Sequence, residues 1–111
     1  MKRTPLKKVS NRRAAVVKAD RELYARVWAA RPHVCDECDL NLGNFPNPTF
    51  FSHILTKAAH PALRHVDANI QLLCFKHHHQ YEFGDRRAMK TAQKILDLIE
   101  NLYELEQALK K

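Results

Sequence analysis

CFKHHHQYE, residues 74–82, sets three consecutive histidines close behind a cysteine. How they divide decides the fold. Side chains one step apart on an α-helix point about 100° away from each other. FKHHHQYEF, residues 75–83, reads as a short helix that stops at Gly84, a residue suited to the position just past a helix end. His77 and His78 therefore cannot face the same small site, and each needs its own partners.

Partners for His77 come from the cysteines. Cys35 and Cys38 form a Cys-x2-Cys pair, and Cys74 and His77 form a Cys-x2-His pair. Two such knuckles offer three thiolates and one imidazole, a tetrahedral set that suits a zinc ion. All three cysteines of the chain are used, an odd number that argues against a closed disulfide framework. The competing reading is three buried free cysteines; a histidine in the fourth slot favours the clamp. Four protein ligands leave no open position for water, so this Zn2+ would be structural. The long insert between the knuckles becomes a loop pinned at its base.

His78 then looks elsewhere. Glu82 follows it by four residues on the same helical face, so the two could hold a second divalent ion. Upstream, TFFSHIL at 49–55 is rich in β-branched and aromatic residues and predicts a strand carrying His53. NIQLLCF at 69–75 predicts a second strand, with Asn69 at its start.

The order SHI … NIQLLC-x2-HH resembles the HNH endonucleases, the ββα-metal nucleases, in the phage and prophage subset braced by a zinc-knuckle pair. The similar region spans about residues 35–83. His53 matches the first His of the motif, Asn69 the Asn and His78 the last His. The resemblance implies an α+β fold: a small ββα-metal core braced by the Cys3His zinc site, flanked by an N-terminal and a long C-terminal helix. It implies a general base at His53, which takes a proton from the water that attacks a phosphodiester. It gives Asn69 the task of orienting that histidine or bracing the loop. It makes His78 the first ligand of a catalytic ion that stabilises the phosphate and the leaving 3′ oxygen. Glu82 stands where many members have another ligand, and a carboxylate there favours Mg2+ or Mn2+. One position departs from the pattern. The residue before the base is often Asp or His and ligates the ion; here it is Ser52, whose hydroxyl is a weak ligand. A regular strand would also send Ser52 and His53 to opposite faces. Either Glu82 or a water compensates, or cleavage has been lost.

The remainder of the chain is consistent with a nucleic-acid partner. With 111 residues it predicts one domain, and a formal charge of +7 favours a polyanion. Residues 1–13 carry Lys2, Arg3, Lys7, Lys8, Arg12 and Arg13 and no acid, and read as a flexible basic arm before a single domain at 14–111. Such a run is either a solvated tail or a set of phosphate contacts. Arg64 is a further candidate for phosphate. Residues 11–31 predict a helix capped by Ser10 or Asn11, with Val16, Ala19, Leu23 and Val27 on its apolar side, ended by Arg31-Pro32. Residues 33–48 read as loop. A last helix from about Asp85 to Lys110 has a wide apolar stripe, which means core packing or a contact with a second copy or a phage or replication partner. His33, His60, His65 and His79 receive no firm role. No apolar run is long enough for a membrane helix and there is no secretory leader, so the expected place is the cytoplasm of a bacterial or phage-infected cell.

Two other functions compete with a DNA-cutting enzyme acting on duplex or branched DNA. One is a zinc-braced nucleic-acid-binding module without cleavage activity, which Ser52 favours. The other is a structural accessory protein working through its last helix. Neither has a physical need for His53, Asn69 and His78 together.

Overall fold

Phe51, Ser52 and His53 form strand β1, which pairs antiparallel with β2, Ile70–Leu72. The register sets Phe51 opposite Leu72, Ser52 opposite Gln71 and His53 opposite Ile70. Single backbone bonds extend the pairing at each end, Leu73 N–H to Phe50 and Ile54 N–H to Asn69. Both strands are shorter than the sequence predicts. Before β1, Asn47 caps a 3-10 turn, Pro48–Phe50, whose proline occupies the first position. Another 3-10 turn, Asp67–Asn69, leads into β2, and Cys74 already serves as the N-cap of the next helix. Residues 49–50, 54–55, 69 and 73–75 are thereby taken out of the two expected strands.

The computed structural model describes residues 10–110 as a small α+β domain with three α-helices and this two-stranded sheet. Helix α1, Asn11–Ala30, begins where Ser10 accepts from the Arg13 amide and ends at Arg31, held extended before Pro32. Arg12 and Arg13, expected in the basic arm, belong to its first turn; Lys2, Arg3, Lys7 and Lys8 lie outside the described residues. The C-terminal half of α1 supplies Leu23, Val27 and Trp28 to the core, and Tyr24 stacks on Phe51 with ring centroids 4.4 Å apart.

Helix α2, Phe75–Phe83, stops at Gly84 as expected, but not through a left-handed residue. Gly84 is extended, with φ −112° and ψ −156°. A Cβ there would meet the Gln80 backbone at 3.1 Å, a tight contact that favours glycine.

Helix α3 runs over Ala92–Leu109, starting later than Asp85. Asp85 instead caps a 3-10 turn, Arg86–Ala88, and Met89 is extended. The two residues that lead into α3 are held from a distant segment. The Glu37 carboxylate accepts from Thr91 N–H at 3.0 Å, from the Thr91 hydroxyl at 2.9 Å and from Lys90 N–H. Helix α3 then lays Ile95, Leu98, Ile99, Leu102 and Leu105 against Ile54, Leu55 and Leu63 of the loop after β1. No described helix is long and apolar enough to cross a membrane.

Glu37 is 6 % exposed, so deleting its carboxylate leaves part-buried donors without their acceptor. Glu37→Ala is expected to lower stability by about 1–3 kcal/mol. Hydrogen exchange should speed up selectively at Lys90–Ile95, and denaturant titration with amide exchange reads both effects.

Candidate metal centre and adjoining cleft

The first knuckle is a tight turn. Cys35 N–H bonds to Leu40 C=O and Asp39 N–H returns to Cys35 C=O, both at 2.9 Å. Asp39 takes the left-handed conformation that closes the turn, with φ 61°. Asp36 joins the knuckle to β2: its N–H bonds to Leu72 C=O at 2.7 Å, and its carboxylate accepts from Leu72 N–H at 3.0 Å. The second knuckle is the entry to α2, where Cys74 caps and His77 sits one turn in.

The two knuckles meet. The Sγ atoms of Cys35, Cys38 and Cys74 and one ring nitrogen of His77 all lie within 4.8 Å of one another. His77 Nδ1 is 3.7 Å from Cys35 Sγ and 3.3 Å from Cys74 Sγ, and Cys38 Sγ is 3.9 Å from Cys74 Sγ. A tetrahedron with zinc–sulfur bonds of about 2.3 Å has sulfur–sulfur edges of about 3.8 Å. The spacing and the donor types therefore fit a metal ion such as zinc, and all four ligands named from the sequence come together.

His78 leaves α2 on another side. Its Nδ1 donates to Thr49 C=O, which makes Nε2 the nitrogen with the free lone pair. That Nε2 is 3.7 Å from a Glu82 carboxylate oxygen. His53 is held in the same manner: Nε2 donates to Arg64 C=O at 3.0 Å, and Nδ1 is left basic. His53 is 8 % exposed, and burial pushes it below the ordinary imidazole range. His53, His78 and Glu82 line one cleft of about 400 Å³, together with Tyr24, Phe51 and Lys57.

The Asn69 side chain makes its hydrogen bonds elsewhere than to His53. Fully buried, it accepts from Leu55 N–H at 2.8 Å and donates to Leu55 C=O at 3.0 Å and Leu63 C=O at 3.3 Å. It locks both ends of the loop between the strands, the bracing alternative of its two expected tasks. Ser52 faces away from the cleft. It is fully buried and accepts from Gln71 Nε2 at 3.4 Å on the opposite side of the sheet. As an expected, if weak, ligand beside His53, it is corrected by the alternation of side chains along β1.

Arg64, expected to meet phosphate, donates through Nε and Nη2 to Asp20 at 3.1 and 2.8 Å, so its charge is matched inside the protein. It nevertheless borders a shallow depression with Arg12 and Arg13. The remaining histidines are accounted for by packing or pairing. His33 stacks on Trp28 at 3.7 Å, His60 pairs with Glu106 at 2.8 Å, His65 pairs with Asp20 at 2.8 Å, and His79 is exposed beside Phe83.

Lys57 and Tyr24 are cleft residues that the sequence did not single out. A lone lysine in a loop carries no pattern, and Tyr24 looked like one more member of the apolar side of α1. No family model, curated protein or solved structure matches the chain.

Cobalt(II) is expected to bind the Cys3His cluster at one ion per chain, with thiolate charge-transfer and tetrahedral d–d absorption bands. Cys74→Ser should weaken the bands sharply, and zinc should bleach them by displacement. Chelation of the metal is expected to lower the midpoint of thermal unfolding.

Proposed function

We propose that this chain is a metal-dependent endonuclease of the HNH type that hydrolyses DNA phosphodiester bonds. The observation that carries the proposal is the pair of imidazoles in one cleft. Each gives one ring nitrogen to a backbone carbonyl and keeps the other free beside a carboxylate or a cation.

His53 is the base. Its buried, neutral ring accepts a proton at Nδ1 from the attacking water, while the bond from Nε2 to Arg64 C=O holds the ring still. His78 Nε2 and the Glu82 carboxylate would hold the divalent ion, Mg2+ or Mn2+. Such an ion, when bound, supplies Lewis-acid stabilisation of the phosphate and the leaving 3′ oxygen. Lys57 offers a positive charge to the phosphate from the cleft wall. Arg12 and Arg13, with Lys7 and Lys8 before them, contact the backbone of duplex or branched DNA without reading bases. In this reading zinc fills the Cys3His cluster and serves the fold alone. Leu96, Tyr103 and Leu109 are exposed on α3 and offer a contact for a second copy or for a phage or replication partner.

A second reading is a zinc-braced nucleic-acid-binding module without cleavage. It is favoured by Ser52, whose position outside the cleft leaves His78 and Glu82 as the protein ligands for a catalytic ion.

Plasmid nicking with Mg2+ or Mn2+ separates the two. The enzyme reading expects metal-dependent nicking that falls by about 100-fold or more in His53→Ala. Salt-sensitive DNA binding with no nicking under either metal would establish the second. The pH dependence has a definite sign. Protonated His53 cannot take a proton, and burial delays its protonation to lower pH. The rate is therefore expected to hold near neutral pH and to fall only below the ordinary imidazole value of about 6.5.

A further inference from the structure

The carbonyl that receives the His53 proton belongs to the peptide between Arg64 and His65. Side chains on both sides of that peptide end on one carboxylate. Arg64 meets Asp20 through Nε at 3.1 Å and Nη2 at 2.8 Å, and His65 meets it through Nε2 at 2.8 Å. Asp20 stands on α1, the most regular support near the cleft, and its side chain is 17 % exposed. The same helix sends Arg26 to Asp67 and to His65 C=O, and Arg31, just past its end, donates to Asp67 C=O and Ile70 C=O. The segment 64–70, irregular apart from its 3-10 turn and β2, is thus strapped to α1. Asp20 is the strap that reaches the peptide in contact with His53.

We propose that Asp20 is a positioning residue for His53: by clamping Arg64 and His65 it fixes the carbonyl that holds His53 Nε2–H, and so directs Nδ1 into the cleft. The catalytic consequence rests on the nuclease reading; the effect on the His53 ring does not. The Arg64 guanidinium holds the Asp20 carboxyl below the usual carboxylate range, so the clamp is charged at neutral pH. The other groups near the His53 ring are Tyr24 on α1, edge-on with ring centroids 6.5 Å apart, and Lys57 in the loop after β1. His78 and Glu82 line the same cleft from α2, and none of these four binds the Arg64 carbonyl. The arrangement also gives Arg64 a use other than phosphate binding. A lysine there could not make the two-pronged bond.

The test is the His53 Nε2–H proton in ¹⁵N-labelled protein, followed with steady-state nicking. In the wild-type chain this proton should exchange slowly enough to give a resolved resonance. In Asp20→Asn, which keeps the shape and loses the charge, and in Arg64→Lys, the resonance should broaden or disappear. The kcat should fall about tenfold to a hundredfold, with KM little changed. Asp20→Glu, which restores a carboxylate, should recover part of both signals. A retained, slowly exchanging Nε2–H in folded Asp20→Asn overturns the proposal. So does a fall in kcat with the resonance untouched, because Asp20 would then act elsewhere. If the wild-type protein does not nick but the resonance responds to Asp20→Asn, positioning stands and the nuclease reading alone fails.

Discussion

Three residues of antiparallel pairing hold His53 in the cleft, and a strand pair of that length has no stability of its own. Its geometry therefore depends on what grips it from outside. Asp36 meets both backbone groups of Leu72, one through its own N–H and one through its carboxylate, and so ties β2 to the first knuckle. Asn69 ties the other end by filling the backbone groups of Leu55 and Leu63. Tyr81 on α2 donates its hydroxyl to Ile54 C=O at 2.6 Å, and Tyr24 on α1 stacks over Phe51. Side chains from the first knuckle, α1 and α2, with Asn69 at the start of β2, thus grip the paired residues and their flanks. An ion in the Cys3His cluster would stiffen the first of these grips, since Asp36 lies between two of the ligands.

Much of this was legible in the chain because it rests on local rules. Arg31-Pro32 ends α1, Ser10 begins it, and the i, i+3 spacing of Cys74 and His77 puts both on one turn of α2. That His77 and His78 face different sites followed from helical geometry, and the knuckle spacing gave His77 to the cysteines. What stayed hidden was long-range and polar. No pattern marks Glu37 as the partner of Lys90 and Thr91 more than fifty residues later, so α3 was expected to start at about Asp85, a possible N-cap. The strands were read too long because β-propensity continues through Thr49–Leu55, while the turn at Pro48 and the side chain of Asn69 had already claimed the backbone at either end.

The histidines show how little a residue type says before its partners are known. Of seven in the chain, two keep a free ring nitrogen in the cleft, one joins the cysteines, and three spend a ring nitrogen on Trp28, Glu106 or Asp20. Arg64 makes the same point for charge. Its guanidinium looked free in the sequence, yet its charge is matched by Asp20, and its backbone oxygen is the part that faces His53.

The Glu37 contact also bears on the order in which the domain comes apart. Helix α3 is tied to the first knuckle and the main core only at its start, through Glu37 and Ile95. From Leu98 onward it packs on Ile54, Leu55 and Leu63 of the loop between the strands, so that part forms a natural unit of sub-global opening. When it lifts, the first core residues to meet water are those of the loop between the strands. Leu63 is bonded to Asn69, and Arg64 next to it holds His53. Fluctuations of the C-terminal part of the last helix would therefore reach the cleft through this loop. A chain shortened at its C-terminus would keep its metal-binding cluster and lose the order of the loop that holds His53.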